Sequence, residues 1–319
     1  MTTVAPQAPA EESPVGAPSP GVVQTQEKSV VVRRPLRRPP TRKAGVVGGA
    51  LTAVSALGLG VFLQLAGVGR LAEQRDQQVL FDQLRSDLAN AVTPIGPVDY
   101  MGKLVRPGSP VALLDIPAIG LRQVVVEGTT SSVTAAGPGH RRDSVMPGQA
   151  GSSIVMGRSG AYAAPFARLK DLRPGDTISV TTGQGVEAFR VTTLRRAGDV
   201  DTSLAAGESR LTLVTADGPA FLPTGVLRVD AVLTSPVRPS APAVAAPPVT
   251  DAEKAMGADY SHVFALVLWL EVLLVTAVLL TWSRSRWGRW QSWLCGGPVL
   301  TFVGVVVADH LAQLFPNLL

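Results

Sequence analysis

Long apolar runs interrupt an otherwise mixed pattern of hydrophobic and polar positions along the chain. Residues 44–69 contain no charged side chain, and residues 261–282 contain only Glu271. About 20 apolar residues cross the hydrocarbon core of a bilayer, so both runs predict transmembrane helices. A third run, residues 290–308, is marginal in length and includes the Gly-Gly-Pro sequence 296–298. We expect a third span there, with a re-entrant segment as the alternative.

Between the first two runs, residues 100–235 predict a mainly β domain. Short β-branched segments are bounded there by Gly, Pro and Asp, a pattern typical of strands. About seven or eight short strands within about 135 residues indicate a closed or nearly closed β-barrel. One short helix is predicted at Pro165–Leu172, with proline in its first turn. The predicted strands are Val111–Ile116, Leu121–Glu127, Ser153–Met156, Thr177–Thr182, Glu187–Leu194, Leu211–Thr215 and Val226–Leu233.

The remaining segments connect these parts. Residues 70–92 carry apolar side chains at three- and four-residue spacing, which predicts an amphipathic helix within the connecting region 70–99. Residues 1–43 are rich in Pro, Ala, Ser and Thr and are predicted to be disordered. The Pro/Ala-rich residues 236–260 form a linker, and residues 309–319 form a C-terminal tail.

Composition and charge predict how the chain is oriented across the cell membrane. The chain is 46% hydrophobic and only 17% charged, whereas soluble domains carry about a quarter charged residues. Residues 1–43 carry seven Lys and Arg against three Glu, and the loop 283–289 carries three Arg and no acid. The positive-inside rule places both segments in the cytoplasm and the β domain outside the cell membrane. Residues 70–260 hold nineteen basic and nineteen acidic side chains, so no nucleic-acid partner is expected.

Cysteine and histidine are scarce. The chain has one cysteine, Cys295, and three histidines, His140, His262 and His310. A single thiol excludes an internal disulfide framework and a Cys-rich zinc site, and the scattered imidazoles argue against a histidine metal site. We therefore expect neither a metal nor a cofactor.

Within residues 109–235, a series of short motifs occurs in a characteristic order and spacing. The motifs are Ile116–Leu121, Val126–Gly128, Gly137–His140, Pro147–Gly151, Phe166–Leu169, Leu172–Asp176 and Leu211–Thr215. Together they resemble the sortases, most closely the class E type of actinobacteria. The resemblance implies a sortase-like eight-stranded β-barrel. It also implies, for active members, cleavage of a sorting signal in a secreted protein and its attachment to the cell wall or to another protein.

The resemblance further implies three catalytic groups: a cysteine nucleophile, a histidine that moves protons, and an arginine that stabilises the oxyanion. The histidine position is occupied by Arg158 and the cysteine position by Ala216. The arginine position falls on Val226, while Arg228, two residues later, points to the same face of the strand. The chain therefore lacks the thiol and the imidazole, and no catalytic site is intact.

Other side chains are poor substitutes. Cys295 lies in or beside the third apolar run, beyond a linker and a span. Thr215 and Ser159 carry hydroxyls near the vacant positions, but activation of either needs an adjacent base. His140 occupies a position that is not catalytic in the family, and we expect it to be structural.

Charged residues supply the candidate binding groups. Arg158, Asp217 and Arg228 are expected to converge at one end of the barrel and to bind an extended peptide or a carboxylate-bearing wall component. The alternative is a structural ion pair between Arg158 and Asp217. An isolated charge in mid-membrane costs about 3 kcal/mol or more. Glu271 is therefore expected to contact a membrane-protein partner or the third span, or else to be protonated.

The resulting hypothesis is a membrane-anchored, extracytoplasmic, sortase-like pseudoenzyme that binds or scaffolds at the cell envelope. Its expected partners are a secreted protein, a peptide or a cell-wall component, and a membrane protein that contacts the span 261–282. Two alternatives stay open. One is an active transpeptidase with an unrecognised nucleophile, and the other is a docking subunit of an envelope transport or secretion complex.

Overall fold

The computed structural model describes most of the chain. The described residues are 58–60, 62–63, 67–200, 203–241, 248–286 and 289–319. They form a closed β-barrel, a helix on its outer face and a hairpin of two long helices. The predicted disordered segment 1–43 and most of the predicted span 44–69 lie outside the described residues.

Eight strands close into a barrel, as the short β-branched segments predict. The strands are β1 Pro110–Ile116, β2 Leu121–Glu127, β3 Gly139–His140, β4 Gly151–Met156, β5 Thr177–Thr182, β6 Gly185–Arg195, β7 Ser209–Asp217 and β8 Gly225–Leu233. They follow the order β1-β2-β3-β4-β7-β8-β6-β5, and β5 pairs with β1 to close the ring. The pairs β2–β3 and β4–β7 are parallel, and the others are antiparallel.

Alternation of side chains along the strands fills the barrel with apolar groups. In β8, Leu227 and Val229 are buried in the core, while Arg228 between them lies on the opposite face. Phe166 and Phe189 are the largest apolar side chains of this core, and both are fully buried. The period of two therefore separates an apolar interior from the outer face that carries the candidate site.

Each of the seven predicted strands is present, with ends within two residues of the predicted ones. The pattern missed β3, because two residues carry no periodic signal. The helix predicted at Pro165–Leu172 is wrong, since this segment forms turns and a 3₁₀ helix at Leu169–Asp171. Phe166 explains the difference: its ring lies in the core, and its backbone N–H donates to the oxygen of Arg158 at 2.9 Å.

A helix of 21 residues, α1 (Gly69–Ala89), packs on the outside of the barrel. Leu80 and Leu84 contact Val124 and Val126 of β2. Gln77 also bonds to the backbone of Val124, donating to its oxygen at 3.1 Å and accepting from its N–H at 2.7 Å. The amphipathic pattern of the sequence thus corresponds to a helix with one face docked on β2.

A helix of four residues, α2 (Ser131–Thr134), lies between β2 and β3. After the barrel, the chain forms a short segment with two 3₁₀ turns and then two long helices, α3 (Val263–Arg286) and α4 (Arg289–Gln313). Two segments, Tyr260–Leu280 and Leu294–Gln313, are long and apolar enough to cross a membrane. The third apolar run is therefore part of one helix that continues through its internal proline.

Close packing joins α3 to α4. Leu266 of α3 contacts Val303 and Val307 of α4, and all three side chains are buried. Near the other end, a Cβ atom on Gly296 would lie only 1.5 Å from Leu280 Cδ1, so glycine permits the close approach of the two helices. The hairpin is thus a continuous packed unit within the described residues.

Candidate functional site

The three positions that the resemblance assigns to catalytic residues lie side by side at one end of the barrel. Arg158 follows β4, Ala216 lies in β7 and Val226 lies in β8. Strands β4 and β7 run parallel, with Met156 beside Val214, so their carboxyl ends meet. In the antiparallel pair β7–β8, Ala216 is directly opposite Val226. The barrel therefore brings the three predicted positions together.

Arg158 is fully buried, and oxygen atoms hold its guanidinium. Nη1 donates to the main-chain oxygen of Leu319 at 3.1 Å. Nη2 donates to the main-chain oxygen and the hydroxyl of Ser131 at 2.7 and 2.8 Å. The guanidinium carbon lies 4.8 Å from the centre of the Tyr162 ring, a cation–π contact. Burial lowers the pKa of Arg158 to about 10, so it stays cationic at neutral pH and is not a general base.

Ala216 presents only a methyl group at the predicted nucleophile position. It packs with Met156, Val214 and Leu318 in an apolar cluster and is 7% exposed. A cavity of about 160 Å³ adjoins it, with Lys170 in its wall. Typical ligand pockets measure about 300–1,000 Å³, so this cavity is too small to receive an extended peptide.

The two hydroxyls near the vacant positions are not activated. Thr215 is 1% exposed, and its Oγ1 donates to the oxygen of Gly157 at 2.8 Å. Ser159 Oγ donates to the oxygen of Leu318 at 3.3 Å. In the described part of the chain, neither hydroxyl bonds to an imidazole or a carboxylate, so neither has the base that a nucleophile requires.

His140 lies in β3 and is buried between fixed partners. Its Nδ1 lies 2.9 Å from Glu127 Oε2, and its Nε2 lies 3.0 Å from the oxygen of Val145. Burial alone would lower the pKa of His140, but the Glu127 carboxylate and the Val145 oxygen outweigh burial and raise the pKa above its usual value. Both ring nitrogens face acceptors, so the imidazole serves as a donor that ties β3 to its neighbours.

Ser144, His140 and Glu127 form a row of three side chains that resembles a hydrolytic triad. The Ser144 Oγ lies 3.1 Å from Nε2 of His140. The same hydroxyl, however, donates to the oxygen of Arg141 at 2.7 Å and accepts from the N–H of Ile154 at 3.1 Å. Because the Ser144 proton points away from the imidazole, this row is a structural network rather than a nucleophile with its base.

The structure does not bring Arg158, Asp217 and Arg228 together. Asp217 pairs with Arg196 at 2.9 Å on the exposed rim of the barrel, so the alternative of an Arg158–Asp217 ion pair is wrong. Arg228 lies opposite Val214 and lines a separate cavity of about 420 Å³. Three further arginines, Arg141, Arg195 and Arg210, line the same cavity.

The sequence patterns missed the segment that covers the site. Residues 314–319, called the tail from here on, follow α4 and return to the barrel. There Leu318 packs on Met156, Val214 and Ala216. Leu318 is 0% exposed. The only available signal was an apolar Leu-Leu pair in a tail that is not expected to lie in lipid, and such a pair says nothing about where it packs.

Hydrogen bonds also bind the main chain of this segment. The donors are two hydroxyls of α2, one backbone N–H and the Arg158 guanidinium. They bond to four main-chain oxygens: Ser131 Oγ to Phe315 at 2.9 Å, Thr134 Oγ1 to Asn317 at 2.9 Å, the Ser159 N–H to Leu318 at 3.0 Å, and Arg158 Nη1 to Leu319 at 3.1 Å. The site therefore holds a segment of peptide that is folded into turns, the last of them closed by a bond of 3.1 Å from the Leu319 N–H to the Pro316 oxygen.

Asn317 ties the tail to a second segment, residues 248–257, that precedes the hairpin. Its Nδ2 donates to the oxygens of Thr129 at 2.6 Å and Lys254 at 2.9 Å. The second segment is itself anchored, because Arg142 donates through Nε and Nη2 to the two carboxylate oxygens of Glu253, both at 2.6 Å. Both ends of the hairpin are thus fixed to the barrel.

The end of α4 docks beside Arg158. Ala312 packs with Ala161 and Tyr162 in a buried cluster. Burial, and then the nearby carboxylate of Asp309, raise the pKa of Tyr162 to about 12. The phenol therefore stays neutral, and it links the last turns of α4 to the buried guanidinium.

Glu271 lies in the middle of α3 and is exposed. The face of α3 that contacts α4 carries Leu266, Trp269 and Leu273, and at about 100° per residue Glu271 projects away from it. The expected contact between Glu271 and the third span is therefore wrong. In the described residues, no group of three or more His, Cys, Asp or Glu side chains is placed to hold a metal ion.

Comparison with known proteins gives matches to the barrel region. Residues 114–228 match the sortase domain family. Similar solved structures include a sortase D5 transpeptidase of Clostridium perfringens (21% identity, TM-score 0.40, covering 51% of this chain and 98% of that chain) and sortase E of Streptomyces avermitilis (28%, 0.36, 41% and 91%). A pilus-related sortase C of Group B Streptococcus also matches (18%, 0.38, 51% and 91%). No curated protein sequence matches the chain. The barrel thus has the sortase fold, and its structural neighbours come from several sortase classes.

Proposed function

We propose that this chain is a non-catalytic, class E-like sortase of actinobacterial type that serves as a binding or scaffolding subunit at the cell envelope. One observation carries the proposal: Leu318 covers Ala216, the residue at the position that the resemblance assigns to the nucleophile. An acyl-enzyme requires a nucleophilic atom at the carbonyl carbon of the substrate. A methyl group supplies none, so the covalent route is absent.

The surroundings of Arg158 support the same conclusion. A proton shuttle must release and accept a proton near the working pH, whereas Arg158 keeps its charge and donates to Ser131 and Leu319. Thr215 and Ser159 each donate to a main-chain oxygen. An active enzyme with a substitute nucleophile is therefore the weaker alternative.

The hairpin supports a membrane anchor with the barrel outside. Residues 248–257 and 314–319 both contact the barrel, so the hairpin leaves from the barrel side and returns to it. Two helices of sufficient length and hydrophobicity lie between them. The arginines at residues 284, 286 and 289 lie at the far turn of the hairpin, where the positive-inside rule places cytoplasm.

The ligand that we propose is a secreted protein, a peptide or a cell-wall component that carries a carboxylate. Arg228 is half-buried in the wall of the 420 Å³ cavity next to the covered position. Guanidinium groups bind carboxylates in a bidentate geometry. Because Arg228 has no ion-pair partner among the described residues, it is the arginine of this cavity that we expect to accept a ligand.

Mass spectrometry tests the absence of catalysis. The full chain, purified in detergent, is incubated with sorting-signal peptides, and an active sortase serves as the positive control. We expect neither cleavage nor a covalent adduct with this chain. An adduct that maps to Thr215 or Ser159 would overturn the proposal.

Glu271 favours a second candidate function, a docking subunit of a membrane complex for envelope transport or secretion. A carboxyl group that faces away from its own hairpin partner in mid-membrane needs protonation or a polar partner from another protein. Co-purification of a transport or secretion subunit that depends on Glu271 would support this function, and it is compatible with a non-catalytic barrel.

A further inference from the structure

We propose that the groove over Ala216 is a receptor for a short peptide of the type Asn-Leu-Leu, and that residues 315–319 of the same chain are its resident ligand. The inference rests on the proposed non-catalytic binding function and adds the chemistry of the ligand and a means of regulation. Three features of the structure carry it.

The first feature is a row of donors that matches a peptide main chain. Ser131, Thr134, Ser159 and Arg158 together bond to the oxygens of four of the last five residues of the sequence. The fifth oxygen, that of Pro316, accepts from the N–H of Leu319 at 3.1 Å. The last of these bonds closes a turn over residues 316–319. Recognition through main-chain oxygens does not depend on side-chain identity, so it gives the groove a general affinity for a peptide that adopts this turn.

The second feature is selection of the side chains. The Leu318 side chain enters the apolar pocket of Met156, Val214 and Ala216, which the missing thiol would otherwise share. The Asn317 amide donates to main-chain oxygens, among them that of Thr129 at 2.6 Å. A buried amide bound in this way discriminates strongly, since a side chain without donors would leave those oxygens unsatisfied.

The third feature is the guanidinium of Arg158, which is completely buried while its Nε has no hydrogen-bond partner among the described residues. A buried cation is stable only when oxygen atoms surround it. The Leu319 oxygen is one of its few partners, so an empty groove would leave the cation less well satisfied. The groove therefore favours an occupied state.

As a consequence, a partner peptide competes with residues 315–319 for the groove. Residues 315–319 are joined to α4, so their effective concentration at the groove is high, and a partner peptide binds only when the tail leaves. Release of the tail also weakens the attachment of α4 to the barrel, leaving the contact of Ala312 with Ala161 and Tyr162. Occupation of the groove by a partner is thereby linked to the attachment of the membrane hairpin.

A thiol placed under Leu318 reports whether the groove is open. The reporter is Ala216→Cys in a Cys295→Ser background, which removes the native thiol. Labelling of the detergent-solubilised full chain by a maleimide is followed by mass spectrometry. With the tail in place, Cys at this position is covered and labelling is slow.

Two tail variants and one matched control complete the labelling experiment. Leu318→Asp and Asn317→Ala should each raise the labelling rate about tenfold or more, a factor that corresponds to about 1.4 kcal/mol. Phe315→Ala is the control, because its side chain is 41% exposed and only its main-chain groups are hydrogen-bonded. Near-ultraviolet circular dichroism of each variant shows whether the barrel keeps its packing.

Binding in trans gives an independent measurement. A fluorescent peptide with the sequence of residues 312–319 should bind the Asn317→Ala/Leu318→Asp double variant and bind the native chain at least about tenfold more weakly. A scrambled peptide is the control. Equal labelling of all folded variants, or equal peptide binding to native and double-variant chains, would overturn the inference. Neither measurement involves turnover, so failure here is distinct from the covalent adduct that would refute the proposed function.

Discussion

Arg158 and Leu319 are 161 positions apart in the sequence and are joined by a hydrogen bond of 3.1 Å from the guanidinium to the main-chain oxygen. This bond connects the corner of the barrel that holds the predicted histidine position to the segment that follows the hairpin of two apolar helices. Because Arg158 also bonds to Ser131 of α2, one side chain holds together three segments that are remote in the sequence.

Replacement of Arg158 by alanine should destabilise the protein. The change leaves oxygens of Ser131 and Leu319 without donors, and a buried unsatisfied group costs about 1–3 kcal/mol. Thermal unfolding monitored by circular dichroism checks the effect. The control is Arg196→Ala, because its pair with Asp217 is exposed and contributes about 1 kcal/mol or less. Equal melting temperatures for the two variants would show that Arg158 is not structural.

The packing of helix α1 on the barrel should become less stable as pH rises. Glu73 is buried on the barrel, and burial is the main cause that raises its pKa to about 7. The folded state therefore favours the protonated carboxyl, and its contribution is present at low pH and is lost as pH rises through about 7. Melting temperatures measured from pH 5 to pH 8 should decline for the native chain.

Glu73→Gln should reduce that pH dependence, since an amide does not titrate and its oxygen still accepts from Gln123. The raised pKa of His140 accounts for a remaining decline. Asp82→Asn, an exposed position on the same helix, is the control and should leave the decline unchanged. A Glu73→Gln profile that runs parallel to the native one would contradict the assignment.

Glu253→Gln should loosen the segment in front of the hairpin. Burial pushes the pKa of Glu253 upward, but the hydrogen bonds from Arg142 and Thr250 prevail and hold the pKa below its usual value. The carboxylate thus contributes stability above its unfolded pKa, and this contribution is lost as pH falls through the folded value. Hydrogen exchange of residues 248–257 should increase in the variant at neutral pH and in the native chain at acid pH.

Asp251→Asn is the matched control for this experiment, because the Asp251 side chain is almost fully exposed and pairs with Lys254 at the surface. Such a pair contributes little, so exchange in this variant should resemble that of the native chain. If Glu253→Gln also exchanges like the native chain, Glu253 does not anchor the segment.

Glu271→Leu should abolish a membrane partnership if Glu271 mediates one, while the hairpin itself should remain folded because α4 packs on the opposite face. Native gel electrophoresis of detergent extracts compares the sizes of the complexes. Leu274→Ala, also exposed on α3, is the control. Complexes of unchanged size for Glu271→Leu would remove the docking function from consideration.

The barrel could be predicted from the sequence because its strands carry a local signal. Segments such as Leu121–Glu127 and Thr177–Thr182 have the predicted ends in the structure. The signal is the alternation of β-branched residues between turn residues, which depends only on neighbours in sequence. Where a remote contact decides the conformation, as for Phe166 bonded to Arg158, the local pattern predicted a helix that is absent.

The candidate site was predictable only in part, for the same reason. The identities of Arg158 and Ala216 follow from their positions in the motifs. Their environments do not, because Asp217 pairs with Arg196 on the exposed rim and the tail approaches from the end of the chain. Main-chain hydrogen bonds to residues 315–319 carry no signature in the side chains, so no pattern could reveal them.

The three hydrogen bonds donated by Arg158 also limit what can replace it. An imidazole has at most two N–H groups and a shorter reach, so a histidine at residue 158 could not make all three bonds. A thiol at residue 216 and an imidazole at residue 158, introduced together, would therefore leave a disrupted corner beneath a covered groove. Under the proposed function, a transpeptidase built on this barrel would also need changes in α2 and in the tail.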